Sequence, residues 1–262
     1  MLKINKKIIV FILVLTVLIS ISAVSAEAND TVELEDANQN IDNIKVNDLN
    51  TGELTSPVES ISQAVNNAEN NSDIYLSGTT YSGDKNTRIT VDKSLNFIGN
   101  DTVIDGEGKN YLFTVTGNVK VTFKNIRFVN AYKSPESYSV NYPDSVYGSA
   151  LEIISGEVIV ENCTFQNNVL DYSTNNRNIY GGAVSNDGTL IVTHSKFLSN
   201  VAHSTSGLFS YGGSIYNKGK LIINHSEFLN SSSDDFSYGG VIANSADLIM
   251  DNTLISNSRS SQ

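Results

Sequence analysis

Two histidines and a carboxylate stand at matching places of a recurring motif: His194, His225 and Asp251. These residue types ligate zinc or iron. Stacked as neighbouring strands about 4.8 Å apart, they would spread over about 9 to 10 Å, too wide for one ion. The same position runs back to Asn162 and Asn125, so a polar turn column is expected, with no metal and no cofactor. Glycosidic hydrolysis needs two carboxylates held across a sugar. The close acid pairs, Asp105 with Glu107 and Asp234 with Asp235, fall in turns or loops, and no outward position of the aligned motifs carries neighbouring acids. A non-catalytic protein is therefore expected, with a polysaccharide lyase or hydrolase as the alternative and a structural cell-envelope module as the second. Cys163 corresponds to Ser195 and Ser226, which marks it as a small buried residue, and no nucleophile is read in His194-Ser195 or His225-Ser226. Val184, Ile215 and Ile242 stand where a calcium-binding repeat needs its later glycine.

The elements that would place these residues emerge from repetition. Tyr147-Gly148-Ser149-Ala150, Tyr180-Gly181-Gly182-Ala183, Tyr211-Gly212-Gly213-Ser214 and Tyr238-Gly239-Gly240-Val241 recur after 33, 31 and 27 residues. Each is succeeded by a second motif ending in Phe165, Phe197, Phe228 or, more weakly, Leu254, and Phe128 ends an earlier copy. Short β-branched runs between Gly, Asn and Asp read as strands. Units of this length with about three runs suit one turn of a solenoid, where a propeller blade would need four strands in about 40 to 45 residues. The fold expected is all-β, a right-handed parallel β-helix of about six coils over residues 56–262. Phe128, Phe165, Phe197, Phe228 and Leu254 would form one inward column. Ile126, Cys163, Ser195, Ser226 and Asn252 would form a second, and Arg127, Thr164, Lys196, Glu227 and Thr253 the outward position between them. Asn186, Asn217 and Asn244 would hydrogen-bond along the stack. Gly181, Gly212 and Gly239, with Gly182, Gly213 and Gly240, mark bends and close approaches.

The start of the chain reads differently. Lys3, Lys6 and Lys7 precede an apolar run from Ile8 to Ile21 and the small residues Ala23 to Ala26, a leader cleaved after Ala26. Nothing later is apolar enough to span a membrane, so a secreted or cell-surface location is expected. Losing three lysines takes the formal charge from −11 to −14, which argues against nucleic acid and anionic membrane as partners and otherwise serves solubility. Residues 27–55 are acidic and Asn-rich and read as a disordered spacer. Ser56-Pro57-Val58-Glu59 has the form of a capping box, with Val58, Ile61, Val65 and Ala68 on one face, so a capping helix is expected over 57–69. Sequons at Asn29, Asn70, Asn100, Asn162, Asn224 and Asn230 occur about as often as chance gives.

The paired tetrapeptides Gly181-Gly182-Ala183-Val184 and Phe197 to Asn200, with Phe165 to Asn168, resemble the repeats of the polymorphic outer-membrane protein family. They are still more similar to the adhesin-like β-helix proteins of methanogenic archaea. Phe128-Val129-Asn130 and Phe228-Leu229-Asn230 depart by placing Asn one residue early. Gly-Thr-Thr-Tyr at 78–81, Asn-Phe-Ile-Gly at 96–99 and Ile-Asp-Gly at 104–106 resemble the first coils of those archaeal proteins. The resemblance covers about 200 residues and implies an exported, surface-displayed adhesive or stalk module. Its ligand would be a glycan or a surface protein of another cell or of the cell envelope. Insertions gather on one face of a solenoid and often bind there. Here they are 131–146, 169–179, 201–210 and 231–237, with Tyr132, Tyr138, Tyr142, Tyr172 and Phe209 as the aromatics for stacking on sugar. The repeat is still running at Arg259 to Gln262, and self-association through that open C-terminal coil is expected.

Overall fold

The computed structural model describes residues 57–134, 146–172, 178–204, 209–234 and 236–261, without the side chain of Tyr172. The leader and spacer expected over 1–55 lie outside the described residues. From Ile61 onward the chain forms one short helix and then a succession of short strands paired in parallel between its successive turns, a solenoid-like arrangement of four sheets.

The helix α1 spans Ile61–Asn67, later and shorter than the expected 57–69. Ser60 is its N-cap, in extended conformation, with its Oγ accepting the Gln63 N–H at 3.3 Å. Ser56 lies outside the described residues. Pro57 to Glu59 are not helical, because the Val58 N–H donates to the Tyr75 carbonyl at 3.1 Å and holds that stretch against the first strand. Ser60 and Gln63 have the same capping spacing as the earlier pair. Ile61, Ala64 and Val65, with Ala68 just beyond, turn a buried face to the core. Lys93 Nζ donates to the carbonyls of Val65 and Ala68 at 3.0 and 2.9 Å, satisfying the end of the helix.

The coils that begin at Leu151, Val184 and Ile215 each hold five short strands where about three were expected. In the coil that begins at Val184 they are Val184–Asn186, Thr189–Thr193, Lys196–Leu198, Val201–Ser204 and Ser210–Tyr211. The second and third of these belong to one twelve-stranded sheet, because Leu95–Asp105 and Lys120–Val129 run through the corner unbroken in the early coils. Its longest ladder has seven rungs, from Ser72–Tyr75 to Asp247–Asp251.

Register fixes the columns. Phe128, Phe165, Phe197 and Phe228 are in step, fully buried, and stacked with ring centroids 4.5 to 4.7 Å apart. Their successor is Ile255 and not the expected Leu254, which pairs with Glu227. The same one-residue correction makes Thr253, not Asn252, the successor of Cys163, Ser195 and Ser226. Ser195, Ser226 and Thr253 each donate a hydroxyl to the carbonyl two residues back, at 2.8 to 2.9 Å. The outward position between the two columns ends in Leu254; within it Lys196 and Glu227 pair at 3.2 Å.

Two corners turn through left-handed backbone. One is built of Asn125, Asn162, His194, His225 and Asn252, with φ from 45 to 58°, and the other of Asn130, Asn167, Ser199, Asn230 and Asn257. Asn tolerates this conformation best after Gly. Asn130 and Asn230 are therefore not displaced copies: they occupy the corner beside Asn167. Asn168 and Asn200 belong to the next column, where Asn168 Nδ2 donates to Asn200 Oδ1 at 3.0 Å and Asn168 Oδ1 accepts the Ala131 N–H at 3.0 Å. Asn186, Asn217 and Asn244 form the expected ladder, each Nδ2···Oδ1 bond 2.7 Å long. In the last coil Met250 and Ile255, successors of the buried Ile223 and Phe228, are 42 % and 43 % exposed.

Candidate binding surface

The register separates each coil into a constant body and a variable arm. From the tyrosine of one motif to the strand that leaves the body there are 21 residues in three coils: Tyr180 to Val201, Tyr211 to Ser232 and Tyr238 to Arg259. From the departing strand back to the next tyrosine the span falls from 15 (Tyr132 to Tyr147) through 11 (Val169 to Tyr180) and 10 (Val201 to Tyr211) to 6 (Ser232 to Tyr238). Tyr147 to Val169 takes 22, so the body varies by one residue and the excursion by nine. The excursion goes out on the five-stranded sheet and returns on the four-stranded one.

The arm has its own small core of Val146, Leu170, Ile179 and Ala202. Its inward column runs Lys133, Leu170, Ala202 and Ser233, so the side chains shrink along the stack. Lys133 is 1 % exposed; its Nζ donates to Glu152 Oε2 at 2.6 Å and to the Tyr147 carbonyl at 2.9 Å. At the neck of the arm the second glycine of each motif passes under the departing strand. A Cβ on Gly213 would lie 2.4 Å from the Ser232 carbonyl oxygen, and one on Gly182 2.5 Å from that of Val201. Gly181, Gly212 and Gly239 bend there with φ of 67 to 77°. The Tyr-Gly-Gly signature is thus the hinge where the arm rejoins the body.

One outer face of the arm carries a tyrosine ladder. Tyr147, Tyr180, Tyr211 and Tyr238 stack face to face with centroids 4.8 to 5.1 Å apart. Tyr216, from the body, tilts against Tyr180 at 4.6 Å, while Phe209 and Phe236 gather at the Tyr238 end. Burial, then the neighbouring phenols of Tyr180, Tyr238 and Tyr216, pushes the Tyr211 hydroxyl above its ordinary pKa. Ring faces inside this ladder are taken by their neighbours, so it offers edges and hydroxyls.

The other outer face carries Asp171, His203 and Asp234 on successive rungs. His203 Nδ1 lies 2.9 Å from Asp234 Oδ2, and the Tyr132 hydroxyl donates to Asp171 Oδ2 at 2.9 Å. Asp171 Oδ1 and Ser204 Oγ are buried and find no hydrogen-bond partner among the described residues.

Of the aromatics expected to meet a ligand, Tyr132 is thus tied to Asp171, and Phe209 is 37 % exposed beside Tyr211 and Tyr238. Tyr138, Tyr142 and the side chain of Tyr172 lie outside the described residues, as does Asp235. The expected histidine and carboxylate column does not form. His194 and His225 stack at 5.1 Å on the exposed corner, but Asn252 succeeds His225, and Asp251 pairs with Asn224. Among the described residues no cluster of three metal-ligating side chains is present. Cys163 is buried, and that burial pushes its thiol up to about 12.

The sequence did not signal one further feature. A recess of about 240 Å³ is lined by Tyr147, Glu152, Ile153, Ile154, Ser185 and Asp187. Glu152 and Asp187 come from successive coils and from different columns, so no alignment of motifs puts them side by side. Each is paired with a lysine, Glu152 with Lys133 and Asp187 with Lys218 at 3.3 Å. Asp187 is the main reason the Lys218 pKa is raised. No family model, no curated protein and no solved structure matches this chain.

Proposed function

We propose that the protein is an exported, surface-displayed β-helix of right-handed turn that binds glycans of a cell surface or envelope through its lateral arm, without catalysis. The observation that carries this reading is the division of the coil. Four body segments hold at 21 or 22 residues while the four arms run from 6 to 15, which is the pattern of a rigid scaffold presenting a variable surface. The right hand follows from the preference of parallel crossovers. The resemblance to adhesin-like archaeal β-helix proteins supports display, and the leader-like Lys3 to Ala26 supports export.

A glycan array probed with the purified protein tests this. Binding lost when residues 169–180 and 201–211 are replaced by the short arm 232–238, and retained in His194→Ala and His225→Ala, is the expected result. Binding unaffected by the arm replacements would count against it. Carbohydrate cleavage is disfavoured because both recess carboxylates are engaged by lysines. Product release from a polyuronate or a related polymer, lost in Asp187→Asn, would reverse that reading.

The exposed Met250 and Ile255 support self-association through the last coil. Light scattering should show mass rising with concentration, and Ile255→Lys should suppress it. A constant monomer mass at every concentration would refute it.

A further inference from the structure

We propose that the recess beneath Tyr147, on the body where the arm rejoins it, is a site for one neutral pyranose residue, an inference that rests on the glycan-binding reading and adds a body contact beside the arm. The recess owes its existence to one size difference. Glu152, Ser185, Tyr216 and Ala243 stand in register on successive coils. On the third of these rungs the Tyr216 ring packs against the tyrosine ladder, 4.6 Å from Tyr180 and 5.8 Å from Tyr211. One rung earlier Ser185 has no ring to place there, and the hollow opens.

Its polar atoms are incompletely satisfied. Ser185 is 2 % exposed, lines the recess, and its hydroxyl makes no hydrogen bond among the described residues. That hydroxyl is reached from the recess alone and is left to pair with whatever enters it. Glu152 engages Lys133 only through Oε2, and Asp187 engages Lys218 only through Oδ2. Each carboxylate therefore keeps one oxygen free to accept a hydrogen bond. Ile154, 51 % exposed on the rim, supplies an apolar wall.

Two carboxylate oxygens, one hydroxyl and one aliphatic wall call for a ligand with adjacent hydroxyl donors and a C–H face, which is a pyranose ring. With Lys133 and Lys218 committed to these carboxylates, a uronate, phosphate or sulfate meets no cation among the lining residues. Lys133 and Lys218 already supply the counter-charges, so an ammonium group has no unmatched charge to meet. A neutral hexose or N-acetylhexosamine remains.

The test is saturation-transfer NMR on the purified protein with the methyl glycosides of glucose, galactose, mannose, N-acetylglucosamine and N-acetylgalactosamine, and with methyl glucuronide as the charged control. At least one neutral glycoside should bind. Ser185→Tyr, which copies the Tyr216 rung, should weaken it at least about tenfold, and Asp187→Asn should weaken it severalfold. Should Ser185→Tyr fail to fold, Asp187→Asn decides alone. Equal binding by wild type and both variants would overturn the site, as would a preference for the glucuronide. If array glycans bind but neither variant changes their affinity, the site fails while the glycan reading stands. If no glycan binds at all, both fall.

Discussion

Asn186 donates its Nδ2 hydrogen to Oδ1 of Asn217 at 2.7 Å, across coils that place the two residues 31 positions apart in the chain. Asn217 repeats the bond toward Asn244 at the same length. The side-chain amides thus form a ladder parallel to the one the backbone makes, inside a bend where a mismatched neighbour would leave polar groups buried and unpaired. Asn217→Ala breaks the ladder in the middle and should cost about 1 to 3 kcal/mol. Asn244→Ala, at the exposed end, should cost less. Urea unfolding midpoints of the two variants check the order, and an equal loss would contradict it.

Lys133 and Lys196 make ion pairs in different surroundings. Lys133 is enclosed in the arm against Glu152, whereas Lys196 and Glu227 are about half exposed. Lys133→Met leaves a carboxylate largely out of water and should destabilise the protein by about 3 kcal/mol. Lys196→Met should change stability by no more than about 1 kcal/mol. Denaturant unfolding of both variants measures the contrast.

Cys163 supplies a test in pH. The unfolded thiol ionises near 9.0, and the folded one, raised by burial, near about 12. Between those values the unfolded chain has released a proton that the folded chain still holds, so stability falls as pH rises through the window and is unaffected below it. Cys163→Ser, with no group to ionise there, should lose less stability than wild type on going from about pH 8 to about pH 11. The native thiol should also resist iodoacetamide at about pH 8 and react once unfolded.

Much of this architecture is legible in the sequence because it repeats. Tyr-Gly-Gly and the phenylalanine motif recur with side chains that must stack, so the Phe128 to Phe228 column, the asparagine ladder and the Lys196–Glu227 pair can be placed by alignment alone. The misreadings have physical causes. Alignment sets Asp251 under His225 because Leu254 looks like the next phenylalanine, although Ile255 holds that place. The left-handed corner at Asn252 marks the true register, and Asn succeeding two histidines in that conformation is the available clue. Arm strands of two residues, such as Ser210–Tyr211, are too short to show a period. The recess needs the coil to close before Glu152 and Asp187 meet.

Hydrogen–deuterium exchange of the protein with and without its strongest array glycan tests the central claim most directly, because it reports where the ligand sits. The account predicts slower exchange in 169–180, 201–211 and 232–238, joined by 152–154 and 185–187 when the recess is occupied, with little change in Thr189–Leu198 and Lys220–Leu229 on the twelve-stranded sheet. Protection confined to that sheet, with the arms unchanged, would contradict it.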